Sequence, residues 1–138
     1  MKIAALILGL VFTSFISSAQ DEKGVTITVT IENVLSDEGS IMGGLHTESS
    51  FMKGPGVANE VVDAVKGEVT LTFTNIKPGT FAIMLLHDSN DNNRMDFEAN
   101  GMPKENYATT GELVFGPPNF NSARFEVKDK DLDFRIRF

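Results

Sequence analysis

Four side chains with oxygen donors recur at odd positions in the segment HDSNDNNRMDFE, residues 87–98. Asp88, Asn90, Asn92 and Asp96 stand at relative positions one, three, five and nine. That spacing matches the first part of a calcium loop, and the Arg94 backbone carbonyl falls at position seven. A hard cation takes six to eight oxygens at short range, and here two carboxylates supply charge while two amides supply neutral oxygen. Position six is Asn93 rather than Gly, and Asn tolerates the left-handed conformation required there. Position twelve is Ala99, so no bidentate Glu closes the loop; Glu98, Asp91 or Glu105 must then complete the shell. The sequence therefore predicts a strand-end Ca²⁺ loop whose metal residues are Asp88, Asn90, Asn92, Arg94, Asp96 and Glu105. Extracellular sites of this kind bind at about 10⁻⁴ to 10⁻³ M.

Other chemistry is poorly provided for. His87 ends the apolar run before the loop, and a hydrogen-bonded role at a sheet end is expected for it; His46 lies alone in another strand. The chain has no Cys, so neither His has a thiol partner for nucleophilic catalysis. Glu98 and Glu105 form a carboxylate pair of the kind glycosidases use. A small secreted hydrolase acting on glycans, with His87 and Glu105 at a cleft, is therefore the alternative to a non-enzymatic module. Lys104, Glu105 and Tyr107 otherwise serve to fix the long loop.

The elements that must position these residues are strands. Val25, Ile27, Val29 and Ile31 alternate with Thr26, Thr28, Thr30 and Glu32, the period of a half-buried strand. Residues 40–47 continue as a second strand, where Gly43-Gly44 predicts a bulge or a close backbone approach. Phe51 and Met52 sit in a loop and are expected to fold back on the core edge. Residues 57–65 have valines at helical spacing, but their valine content and the following Lys66-Gly67 favour a strand. Residues 68–75 alternate with Val69, Leu71 and Phe73 inward. After the turn Ile76-Lys77-Pro78-Gly79, residues 80–86 read as a central strand covered on both faces. Residues 101–108 look irregular, residues 111–115 are expected to pair briefly, and residues 123–127 and 132–138 close the chain as two strands. The fold class is all-β: an antiparallel β-sandwich of about seven strands, immunoglobulin-like or transthyretin-like, with one long irregular loop.

Composition adds compartment and partners. Lys2, the apolar run 3–12 and Ser17-Ser18-Ala19 form a secretory leader cut after residue 19, leaving residues 20–138 as one domain with no transmembrane segment. The location expected is extracytoplasmic, periplasmic or secreted, with an envelope protein or a glycan as partner. A formal charge of −7 repels phosphate backbones and argues against nucleic acid.

Three motifs carry a family resemblance: NIKPGTFAIMLLHDSNDNNRMD, GMPKENYA and FGPPNFNSARFEV. The first is similar to P-G-x-Y-A-I-x-x-x-H-D-x-N-x-N-G-x-x-D, with Phe81 in place of Tyr and Asn93 in place of Gly. The second resembles G-x-P-x-E-x-Y through Gly101, Pro103, Glu105 and Tyr107. The chain thus resembles a family of secreted bacterial proteins common in Bacteroidota, the domain of unknown function 2141. The resemblance implies a β-rich envelope or secreted protein and brings no established activity.

Overall fold

The computed structural model describes residues 23–138 apart from residue 113; the leader expected over residues 1–19 lies outside them. Among the described residues eight strands and one short helix follow in order: β1 Val25–Val34, β2 Ser40–His46, β3 Ala58–Asp63, β4 Gly67–Ile76, β5 Gly79–Asp88, β6 Tyr107–Thr109, α1 Phe120–Ala123, β7 Phe125–Val127 and β8 Leu132–Arg137. They form a three-stranded sheet, β4-β1-β8, and a five-stranded sheet, β3-β2-β5-β6, with β7 paired to the early half of β5.

The period-2 patterns decide which side chains meet between the sheets. Ile27, Val29 and Ile31 of β1, Leu71 and Phe73 of β4, Ile41 and Leu45 of β2, and Ile83 and Leu85 of β5 are at most 2% exposed. Burying such side chains at about 25 cal/mol per Å² of apolar surface is the main favourable contribution, since no disulfide is present. Gly43 is the close approach that the sequence suggested: a Cβ there would meet the Leu71 methyls of the facing sheet at 2.9 Å. Its strand keeps a continuous register with β3 and β5, so no bulge is involved.

Strand β5 is covered on both sides. Its outer face carries Ala82, which packs with Phe51, Ala123, Met84 and Phe120 in a second small cluster. Phe51 does fold inward, edge-on to the His46 ring at 5.9 Å, whereas its neighbour Met52 is 57% exposed.

Several expectations need correction. The β1–β8 pair is parallel, Ile27 opposite Leu132 through Glu32 opposite Arg137, while every other strand pair is antiparallel. The reason lies at the entry to β8, where Asp131 accepts the Thr26 amide at 2.8 Å and so starts β8 beside the start of β1. Residues 107–109, expected to be irregular, pair with β5 from Met84 to Leu86. Of residues 111–115, the four described ones form no strand; instead Glu112 donates its amide to the Ser122 carbonyl at 3.3 Å. The start of the expected strand at residue 123 is the end of α1, capped by Asn119 accepting from the Ser122 amide.

Thr110 ties these pieces together. It is 2% exposed, its Oγ1 accepts the Ile83 amide at 3.0 Å, and the same hydroxyl donates to the Ala123 carbonyl at 2.6 Å. Thr110→Val keeps the shape and orphans both backbone groups. The expected loss is about 1–3 kcal/mol in urea unfolding, with Thr110→Ser close to the parent; equal stability of Thr110→Val and parent would refute the clamp.

Candidate functional site

The site is built at the end of β5. Register with β2 and β6 places Ala82, Met84, Leu86 and Asp88 on the outer face and Ile83, Leu85 and His87 on the core face. Asp88 is only 1% exposed. A buried carboxylate must be hydrogen-bonded, and the loop folds back to do it. Asp88 Oδ1 accepts the Asn92 amide at 3.2 Å and Oδ2 accepts the Asn93 amide at 2.7 Å. The reversal uses left-handed backbone at Asp91 (φ 53°) and at Asn93 (φ 61°), the latter at position six of the calcium-loop pattern.

Two further turns of the same kind follow. Asn90 Oδ1 accepts the Asn92 amide at 3.3 Å, and Asn92 Oδ1 accepts the Arg94 amide at 3.1 Å. The side-chain amides converge on Asp96: Asn90 Nδ2 donates at 2.7 Å, and Asn92 Nδ2 lies 2.8 and 2.9 Å from its two oxygens. The Asn90 hydrogen bond is the largest influence holding the Asp96 carboxyl below its ordinary range, despite partial desolvation; Asn92 and the charges of Arg94 and Lys104 act in the same direction.

Glu105 joins the two ends of the loop. It is 8% exposed, and its Oε1 accepts the Ser89 amide at 3.2 Å while Oε2 accepts the Asp96 amide at 3.1 Å. The segment between is a small hairpin-like excursion with Phe97 bridged to Pro103, the Lys104 backbone amide donating to the Asp96 carbonyl at 2.8 Å and the Glu98 backbone amide donating to the Met102 carbonyl at 2.7 Å. The β1–β2 turn supplies the other wall. Gly39 (φ 69°) lies against the Asp88 carbonyl, where any Cβ would collide, and Ser40 Oγ donates to Asp91 Oδ1 at 2.6 Å. This contact joins Gly39 to a loop about fifty residues away and leaves no local signal in the sequence.

Asp88, Asn90, Asn92, Arg94, Asp96 and Glu105 are thus brought into one hydrogen-bonded loop. Among the described residues no three Asp, Glu, His or Cys side chains are grouped so as to hold a metal ion. A cation would therefore depend on amide and backbone oxygens as well as on Asp88 and Asp96.

The histidines lie elsewhere in the chemistry. His87 Nε2 donates to the Glu38 carbonyl at 2.8 Å, and its ring stacks on Phe138 with centroids 6.3 Å apart. His46 sits five residue rows away along the sheet, as Ile41 faces His87 while His46 faces Ala82. Burial pushes the His46 pKa down, opposed by the Ser50 carbonyl beside Nδ1. Glu98 is exposed, whereas both Glu105 oxygens are engaged by backbone amides. Two shallow surface concavities, lined in part by Pro78, Lys128 and Asp129, lie at the opposite end of β5.

Comparison with known proteins gives one curated relative and one family. A 65-residue stretch is 38% identical to part of an acetyl-coenzyme A synthetase of Wolinella succinogenes, covering 44% of this chain and 10% of that enzyme. The chain matches only a tenth of that relative's length, and the likeness carries no activity across. No solved structure matches the chain. Residues 29–135, from within β1 to within β8 and including the whole 88–105 loop, match a family described as "Uncharacterized protein conserved in bacteria (DUF2141)", and the chain belongs to that family.

Proposed function

We propose that this protein is a non-enzymatic, extracytoplasmic β-sandwich module whose strand-end loop binds Ca²⁺. The observation that carries the reading is the fold of residues 88–96. Asp88 and the two Asn residues each hold a backbone amide through a side-chain oxygen that keeps a further lone pair, and Asp96 gathers the amide groups. The donors are Asp88, Asn90, Asn92, the Arg94 carbonyl and Asp96. A cation held there would displace the Nδ2 contacts of Asn90 and Asn92 with Asp96 and use the free lone pairs of the two amide oxygens. Glu105 positions both loop ends and adds negative charge beside them. The location rests on the secretory pattern of residues 1–19, and an envelope protein or a glycan is the partner class that location favours. The described residues hold no helix long and apolar enough to cross a membrane.

With Kd values of about 10⁻⁴ to 10⁻³ M and about 1 mM free ion, calcium stabilises by roughly 0.4–1.4 kcal/mol. The melting temperature should then rise by roughly 2–8 °C on adding calcium at neutral pH. Asp88→Ala combined with Asp96→Ala removes the rise; an undiminished response in that double variant would overturn the site.

The pH dependence has a definite sign. Asp96 titrates below its unfolded value of about 4, so its contribution is present above that pH and is lost as pH falls through the lowered folded value. Protonation removes the cation's charge partner as well. The calcium-induced rise should accordingly vanish on acidification through the carboxylate range, read by melting curves with and without calcium at each pH.

Glu105 is tested separately. Glu105→Gln places an amide NH₂ against one of two backbone N–H donors, and about 1–3 kcal/mol of stability should be lost without calcium present. A variant as stable as the parent in urea would remove Glu105 from the role of loop tie.

A further inference from the structure

Among the described residues one edge of the five-stranded sheet is β3, which pairs with β2 on one side only. The Ala64 amide donates to the Gly39 carbonyl at 3.1 Å, continuing the register of that ladder. Ladder alternation then turns the backbone N–H and C=O groups of Asn59, Val61 and Asp63 away from β2 and toward solvent. Such an unpaired row is a template for another strand. Beside it stand three solvent-facing valines at intervals of four residues, Val57, Val61 and Val65, between 55% and 59% exposed.

The order of residues along this edge selects the partner. Residues 57–65 read VANEVVDAV, nearly the same in both directions about Val61. Valine lies four positions to either side, alanine three, and an Asn or Asp two. A two-fold axis through Val61 that brings two copies together antiparallel sets Val61 against Val61, Val57 against Val65 and Asn59 against Asp63. Glu60 then meets Val62, so no carboxylate faces a carboxylate although both copies are acidic. The parity agrees as well, since the outward amides of Asn59, Val61 and Asp63 are those that such a pairing consumes. Isologous contacts of this kind are how most homodimers are built. On the outer face, Val61, Met42, Leu86 and Tyr107 form one cross-strand row, and the two-fold would continue it into the second copy.

We propose that β3 is a self-association edge, through which two copies of this chain join their five-stranded sheets antiparallel about Val61. The inference is independent of calcium binding. An edge contact of a few residues lies at the low end of interface sizes, below about 1,200 Å², so the dimer is weak and concentration-dependent.

The test is sedimentation velocity of the purified chain over a concentration series. The parent should shift from one-chain to two-chain mass, and Val61→Lys, a change at an exposed position, should stay monomeric with an unchanged circular dichroism spectrum. Mixing Val61→Lys with Val61→Glu should restore dimers, since opposite charges then meet at the axis. In addition, the paired Cα atoms would be about 5.5 Å apart, within disulfide reach. The chain has no Cys, so a Val61→Cys variant should cross-link under mild oxidation faster than Phe115→Cys, whose site is more exposed. The proposal is overturned by a parent that stays monomeric throughout or by a dimer that Val61→Lys leaves intact. A Lys/Glu mixture that does not associate, or cross-linking at residue 61 no faster than at residue 115, overturns it too.

Discussion

A carboxylate withdrawn from water has to be answered by hydrogen-bond donors, and the loop end of the sandwich is arranged around that demand at Asp88. Leaving such a charge without donors costs several kcal/mol. The chain meets it by reversing direction twice within six residues, at Asp91 and Asn93. Those reversals carry Asn90, Asn92 and Asp96 around in succession. Glu105 repeats the device from the far end of the excursion, holding the amides of Ser89 and Asp96. The loop's shape is thus dictated by two acids satisfying backbone amides.

The same strand explains why a loop this long stays attached. Returning from the excursion, the chain places Asn106 over the His87 amide, then β6 along Met84 to Leu86, then Thr110 on both backbone groups of Ile83. Below Thr110, α1 covers Ala82, and β7 completes the edge beside Gly79 to Phe81. β5 therefore serves as the rail onto which residues 106–110, α1 and β7 are laid. Arg135, bridging Glu32 at 2.6 Å and Glu68 at 2.9 Å, decorates the opposite, solvent-facing side and contributes little by comparison.

What could be read from the sequence follows the range of each signal. β1, β4 and β8 announce themselves by alternation, and their inward residues are the buried ones in β1 and β4 and the half-buried or buried ones in β8. For β3, valine content and helical spacing point in opposite directions, and the edge position of the strand explains why: one flank of valines faces solvent, so no clean alternation results. β6 and α1 were not legible because three- and four-residue elements depend on tertiary partners rather than on their own pattern; Thr110 and Ala123 supply those partners. In the site, the spacing of Asp88, Asn90, Asn92 and Asp96 was visible since it is local. The contributions of Gly39 and Ser40, and the tie made by Glu105, act between distant segments and have no periodic trace.

The parallel pairing of β1 with β8 has a kinetic consequence. β1 is the middle strand of its sheet, yet its neighbour β8 comes from far along the chain, and the bond from Thr26 to Asp131 spans 105 residues. Closing so wide a loop is slow, and until it closes the Val29 and Ile31 flank of β1 presents an apolar, unpaired edge. Docking of β8 closes that edge, and its outward Asp133, Arg135 and Arg137 give the sheet a charged border in place of an open ladder.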